Sequence, residues 1–370
     1  MLTGFKVTNF KNFKDELYLD LEHTNNYEFS GSAVKDGHVK TALIYGINGS
    51  GKTNLGKAVF DIILHMTDKE KNFSFYNIYK NLWNDDKEPT TFYYKFDFEG
   101  SILEYRYQKD GPQKLLNERV VIDGQEVVSY DFDSHEANVA LSGTESLKLD
   151  LADKNISVIK YINNNAVLND NSINKTFDKF ISFVDNMLFF SSLERNHYQG
   201  FTNGAESISS GIVTAGKVLD FQRFLHKNKI NYELAATKAD QEDRISCKYG
   251  DKLVDFYSVA SRGTCSLALL YYWLIKLDKT SLVFIDEFDA FYHSTLARSV
   301  VEEILNTKSV QAIFTTHNTD IMTSDLLRPD CYFALAGGQV KSFASLTDKE
   351  LRKAHNLQKM YRAGAFDDNG

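Results

Sequence analysis

The chain has 370 residues, 43% of them apolar and 25% charged, with only 3 prolines, so it can bury one large core or two coupled ones and leaves no room for extended disorder outside the last few residues. A net charge of -8 excludes a uniformly basic nucleic-acid binder, although a local basic groove is compatible with it. No apolar run approaches the roughly 18 residues of a membrane span, and the opening MLTGFKVTNFKNF lacks the apolar block of a signal peptide, so a cytoplasmic protein is expected.

The first segment, GFKVTNFKNFKDELYLDL, alternates apolar and polar residues around a turn rich in Asn and Lys, which predicts two paired strands. A Gly/Ser/Asp-rich loop follows between Ser30 and Gly37. Then TALIYGINGSGKTNLGKAVFDIILHM runs from a buried strand through a glycine loop into one amphipathic helix, its apolar face repeating at Leu55, Val59, Ile62, Ile63 and Met66. Signals weaken from Thr67 to Arg244. Within that stretch, TFYYKFDFEGSILEYRYQKDG alternates on both sides of Glu99-Gly100 and predicts an antiparallel hairpin. Two helices are expected further on, with Ile173, Phe177, Phe180, Ile181 and Val184 on one face of the first and Val218, Phe221, Phe224 and Leu225 on the second. Both stripes read as core or partner-helix surface rather than as a cofactor box. No internal repeat and no sustained heptad pattern is present. Cys247, Cys265 and Cys331 have neither paired nor metal-ligand spacing, which suits buried thiols in a reducing compartment.

Chemistry is concentrated in three short stretches. GINGSGKT, Gly46 to Thr53, fits G-x-x-x-x-G-K-[ST] between a strand and a helix, where glycines let backbone N–H groups curl around phosphates, Lys52 reaches the β/γ-phosphates and Thr53 can ligate Mg²⁺. SLVFIDEFDAF is an apolar strand ending in two acids. Asp286 is read as the magnesium acid and Glu287 as the group that orients or deprotonates an attacking water. A strand that merely ends in solvated acids is the competing reading, which the P-loop elsewhere in the chain disfavours. SVQAIFTTHNTDI is a further short strand ending in Thr315, Thr316 and His317, and His317 is read as a γ-phosphate sensor. The stretch FYSVASRGTCSLALLYYWL adds a polar Ser261-Arg262-Gly263-Thr264 turn at the mouth of an apolar helix.

In chain order, GINGSGKT, SRGT, FIDE, FDAFYH and TTHN resemble the P-loop, signature, acidic pair, D-loop and switch histidine of ATP-binding-cassette ATPases. The opening VTNFKNFKD is similar to the first strands of the SMC/RecF-like branch. The ending KAHNLQKMYRAGAF resembles the C-terminus of stand-alone bacterial ATPases of the AAA_15/AAA_21 group, related to those of abortive-infection and other anti-phage operons. The resemblance is close over residues 1–66 and 246–345 and loose between them. It implies an α/β P-loop NTPase head of the ABC type. Residues 1–66 and 246–345 would be its two halves, 67–245 an antiparallel β-lobe with a helical insertion, and 346–370 a C-terminal helix and tail.

The same resemblance implies ATP and Mg²⁺ as cofactors. Gly46, Asn48, Gly49, Ser50, Gly51, Lys52, Thr53 and Asn54 would bind nucleotide, Thr53 and Asp286 the metal, and Lys52, Glu287 and His317 would be catalytic. Asp289 would be the D-loop acid, and Lys11 a basic residue reaching the nucleotide. Ser261 and Gly263 would cover the γ-phosphate held by another subunit's P-loop, which implies an ATP-sandwiched homodimer. Ala260, Arg262, Thr264, Phe291 and Tyr292 depart from the family pattern and leave the adenine-facing contacts open. For the Q-loop glutamine, Gln199 is a weak candidate beside the plainer reading of a surface glutamine. Three functions remain in view: an ATPase governing a separately encoded nuclease or toxin in anti-phage defence, a DNA-repair or chromosome-associated ATPase, and a nucleotide-gated scaffold with little turnover.

Overall fold

The computed structural model describes residues 1–67, 69, 76–149, 151, 156–191, 198–200, 207–239, 242–307 and 309–367. Its frame is two seven-stranded sheets of opposite character. The first is wholly antiparallel. Its order is Ala137–Val139, Gln125–Asp131, Leu115–Ile122, Ser101–Lys109, Thr90–Phe98, Leu2–Thr8 and Leu17–Asp20. The expected hairpin is present, with Phe98 opposite Ser101 and both turn residues, Glu99 (φ 60°) and Gly100 (φ 91°), left-handed. Two successive positive φ values match the right-handed twist of the flanking strands, which is why such turns favour glycine. The strands bury Phe5, Phe92, Tyr94, Phe96, Tyr105 and Tyr107 completely on one face.

The second sheet has five parallel central strands with one antiparallel strand at each edge. The order is Tyr198–Gly200, Met187–Ser191, Leu282–Asp286, Gln311–Thr316, Thr41–Tyr45, Tyr332–Ala336 and Gln339–Ser342. Every residue in four of the central strands is buried, the pattern of a parallel sheet covered on both faces. Met187–Ser191 comes from the 67–245 stretch expected to hold the β-lobe and helical insertion, yet it joins this sheet beside Leu282–Asp286. Four apolar residues and a serine carry too little periodicity to tell a central strand from the end of the preceding helix.

The helix after the glycine loop differs from the expectation of one continuous element. It runs Lys52–Val59, breaks at Phe60 (φ -95°, ψ 2°) and resumes as Asp61–Met66. Its first piece sits against the acidic strand through Gly56, where a Cβ would lie 2.6 Å from the Phe284 ring and 2.7 Å from that of Phe189. The second piece carries Asp61, fully buried, to the Lys109 ammonium at 2.7 Å and to the hydroxyls of Tyr79 and Tyr107 at 2.7 and 2.9 Å. A charge buried so deeply persists only when paired and hydrogen-bonded, and the break delivers Asp61 to its partners. Nearby, the equally buried Glu118 accepts from the Tyr105 and Ser157 hydroxyls and from the Val158 N–H. The Asp61 contacts join the helix after the glycine loop to the antiparallel lobe.

Both expected helices form, as Ser172–Asp185 and Val218–Lys227. Asn171 caps the first by accepting from the Asn174 N–H, and Phe180 and Phe183 pack on Phe96 at 5.3 Å. In the second, Phe221 lies against Phe256 and Tyr271, beside the helix Arg262–Leu274. A small antiparallel sheet of Leu234–Ala239, Glu242–Tyr249 and Lys252–Asp255 leads into that helix. Cys247, Cys265 and Cys331 are free thiols, the first and last buried. Among the described residues no helix is long and apolar enough to cross a membrane.

Candidate functional site

Three adjacent strands of the parallel sheet, Leu282–Asp286, Gln311–Thr316 and Thr41–Tyr45, end side by side, and the chemistry-bearing residues lie at or just beyond their C-terminal ends. From the third strand the chain turns through Gly46–Gly51 into the helix beginning at Lys52. Gly51 has φ 106°, and a Cβ there would lie 2.4 Å from the Asn12 side chain, so only glycine fits this turn. Ile47, Asn48 and Gly49 form the exposed rim of the loop, while the Ser50 Oγ is buried without a hydrogen-bond partner.

Lys52 is buried and donates its ammonium to the carbonyls of Gly46 (3.1 Å) and Ile47 (3.4 Å) and to His317 Nε2 (2.6 Å). Accepting from an ammonium places the ring proton of neutral His317 on Nδ1. Burial lowers the Lys52 pKa, and the carboxylates of Glu287 and Asp286 oppose that shift. Thr53 donates to Asp286 Oδ2 and Thr315 to Asp286 Oδ1, both at 2.7 Å, so this 2% exposed carboxylate is held from both sides. Thr315 also accepts the Glu287 N–H at 2.8 Å. Glu287 sits at φ 44°, a left-handed conformation costly for a residue with a side chain, and its Oε1 lies 3.5 Å from His317 Nε2. Asp289 accepts from Thr316 Oγ1 through both carboxylate oxygens at 2.8 Å, and burial raises its pKa.

The fold therefore brings together Lys52, Thr53, Asp286, Glu287 and His317, with Asp289 tied to the residue before the histidine. Two contributors escaped sequence reasoning. Thr315 fixes both acids. Asn12 binds the loop, donating to the Ser50 carbonyl at 3.3 Å and accepting from Asn54 at 2.6 Å. Lys11, the residue expected to reach the nucleotide, instead directs its ammonium to the carbonyls of Asn77 (3.1 Å) and Ile78 (3.4 Å). Lys11 has φ 49°, and the sharp turn there presents its neighbour to the loop. The polar NFKN sequence signals a turn but not which of its side chains faces inward.

Ser261 and Gly263 lie on a different element. Ser261 is the exposed N-cap of Arg262–Leu274, accepting from the Thr264 N–H at 3.2 Å, which accounts locally for a polar turn before an apolar helix. Gly263 faces the carbonyl of Phe291, 3.3 Å from where a Cβ would be. Gln199 pairs through its backbone with Phe189, and its side chain lies outside the described residues.

The residues suit a magnesium nucleotide: a hydroxyl and a carboxylate supply hard oxygen ligands, and a buried unpartnered Ser50 hydroxyl faces the same loop as the ammonium. A glycine loop joining a parallel strand to a helix, with an acidic pair and a histidine on the next two strands, defines a P-loop ATPase head. The chain belongs to the AAA_21 family, described as "AAA domain, putative AbiEii toxin, Type IV TA system", whose model matches residues 42–323. Among solved structures it is similar to the SMC head domain from Thermotoga maritima, with 15% identity, TM-score 0.43, and 92% of this chain and 97% of that one covered. It is also similar to an SMC head bound to the C-winged helix domain of ScpA, with 14% identity, TM-score 0.46, and 92% and 96% covered. A third is the Pyrococcus furiosus SMC head with an extended coiled coil and the C-terminal domain of ScpA, with 14% identity, TM-score 0.40, and 93% and 97% covered. No curated protein matches the chain.

Proposed function

We propose that the protein is a Mg²⁺-dependent ATP hydrolase whose two sites are completed when two copies meet head to tail, and that this cycle governs a separately encoded effector in bacterial anti-phage defence. The observation carrying the hydrolase reading is the convergence of Lys52, Thr53, Asp286, Glu287 and His317 within direct or one-residue hydrogen-bonding reach. Loop amides and Lys52 bind the β- and γ-phosphates, and Thr53 with Asp286 would hold the cation. When bound, magnesium neutralises phosphate charge. Glu287 orients the attacking water and takes its proton, and His317 senses the γ-phosphate. Ser261, exposed, and Gly263, half-buried, lie at the start of a separate helix and would be offered to a second copy. The family description, which names a "putative AbiEii toxin" and a "Type IV TA system", supports a link to toxin systems.

Fluorescent-nucleotide binding and phosphate release test the hydrolase. The wild type should bind ATP and turn it over only with magnesium. Lys52→Ala should lose binding, and Glu287→Gln should bind while turnover drops by about a hundredfold or more. Binding unaffected by Lys52→Ala would sink this reading. For the dimer, light scattering of Glu287→Gln should show ATP doubling the mass, and an unchanged mass rejects the sandwich. For defence, phage plating on cells carrying the gene with its neighbours should rise on Lys52→Ala substitution, and equal plating counts against that role.

A further inference from the structure

We infer that the C-terminal helix Leu357–Arg362 is a positioning element for His317, with Gln358 and Arg362 fixing the turn that follows the histidine. This rests on the reading of His317 as a phosphate-sensing residue.

Gln358 Nε2 donates to Asp320 Oδ1 at 2.8 Å and to Thr319 Oγ1 at 3.4 Å. Arg362 donates to the same Thr319 hydroxyl from Nη2 at 2.7 Å and from Nε at 3.2 Å, with Nη2 3.5 Å from Asp320. The two side chains are four residues apart and so share one face of the helix. Their target turn is stiffened internally, because Asn318 accepts from the Asp320 N–H at 3.0 Å and donates its own N–H to Thr316 Oγ1 at 2.8 Å. Thr316 in turn is held by Asp289. The segment 316–320 is thus gripped on one side by the half-buried Asp289 and on the other by the C-terminal helix, with His317 between the two grips.

The helix is itself anchored to the strand that leads into the P-loop. Leu357 and Phe366 are buried, Gly364 (φ 77°) reverses the chain, and Ala365 N–H returns to the Met360 carbonyl at 3.0 Å. Phe366 then stacks on Phe343 at 4.3 Å, and Tyr361 packs on Phe343 at 5.6 Å and on Tyr45 at 5.9 Å. Tyr45 directly precedes Gly46. One rigid aromatic patch therefore references the turn after His317 to the loop that presents Lys52, the pair that meets at 2.6 Å. His317 is 37% exposed and leaves the sheet on irregular backbone, so these outer contacts restrict its orientation where the strand no longer does.

The test combines Gln358→Ala with Arg362→Ala and reads His317 directly. In histidine-¹⁵N-labelled protein, with the His317 signal assigned by its loss in His317→Gln, the wild type should show an Nδ1-protonated ring with an accepting Nε2. The double variant should shift that signal toward tautomer averaging. Turnover should fall about three- to tenfold, as expected for a few exposed polar contacts, with KM within about twofold. Arg362→Lys should recover part of the loss, and Lys359→Ala, on the same helix, should change neither readout. Should the double variant fail to fold, Thr319→Val removes the shared acceptor from the other side and is expected to give the same shift. An unchanged His317 signal in a folded double variant overturns the inference, as does a rise in KM at constant kcat. If the wild type proves unable to hydrolyse ATP, the hydrolase reading falls, while the imidazole signal still decides whether the helix positions His317.

Discussion

Thr315 illustrates how much of the site depends on single polar atoms. Its hydroxyl donates to Asp286 and accepts from the Glu287 N–H, so it sets the carboxylate assigned to the metal and the backbone of the residue assigned to the water. Thr315→Val keeps the shape and leaves both partners short of a bond. The expected cost is about 1–3 kcal/mol in chemical denaturation, with a loss of turnover larger than any loss of nucleotide affinity. Gly51→Ala should abolish nucleotide binding and reduce stability, because a side chain at φ 106° meets Asn12. Wild-type affinity in that variant would show that the loop relaxes freely. At this scale Lys52, Thr53, Asp286 and Glu287 were legible because their spacing is local to the chain. Thr315 and Asn12 act across strands and turns, and local spacing says nothing of which side chain crosses.

At the scale of elements, the broken helix after the P-loop and the capped helix Arg262–Leu274 each separate local chemistry from long-range purpose. Asp61 opens the second piece and is buried against Lys109, far along the chain. Asp61→Asn leaves an ammonium in the core and should cost about 3–5 kcal/mol, seen as a lowered denaturant midpoint. Ser261 caps its own helix, so a polar residue there is explained without any ligand. Ser261→Asp distinguishes the cap from the proposed phosphate contact, because aspartate caps about as well as serine but opposes a partner's phosphates. Thermal stability should be retained and ATP-driven dimerisation lost. Dimerisation at wild-type level would leave Ser261 as a cap alone.

For the whole molecule, buried ionisable groups join the antiparallel sheet to the helices packed on it and tie stability to pH. Burial raises the Glu118 pKa against the hydrogen bonds from Tyr105, Ser157 and Val158. The folded state therefore holds that proton better than the unfolded chain does. Its contribution is full below the ordinary glutamate value and is lost as pH rises through the raised one. His65, 4.0 Å from Glu118, has the opposite sign. Burial, with Lys109 adding to it, lowers its pKa well below that of a free imidazole, so stability rises with pH between the lowered value and the unfolded one. The two slopes oppose each other. Glu118→Gln should remove the falling component, leaving unfolding free energy that climbs more steeply toward about pH 6.5. Denaturation curves at stepped pH check this, and an unaltered slope would show that Glu118 does not titrate differently in the two states.

The sequence by itself determined the local parts: the glycine loop between strand and helix, the acid-ended and histidine-ended strands, the Glu99-Gly100 hairpin and the two amphipathic helices. Each of these is written in spacing and periodicity over a few to some fifteen residues, which is the range over which backbone geometry repeats. Only the tertiary structure decided that Met187–Ser191 is a central parallel strand, that Asn12 rather than Lys11 touches the P-loop, that Asp61 finds Lys109, and that Arg362 holds the turn after His317. Those pairings join residues from 38 to 95 positions apart, or bring the end of the chain onto the histidine turn. They are selected by burial and by the need to satisfy every buried polar group, conditions that exist only once the whole chain has packed.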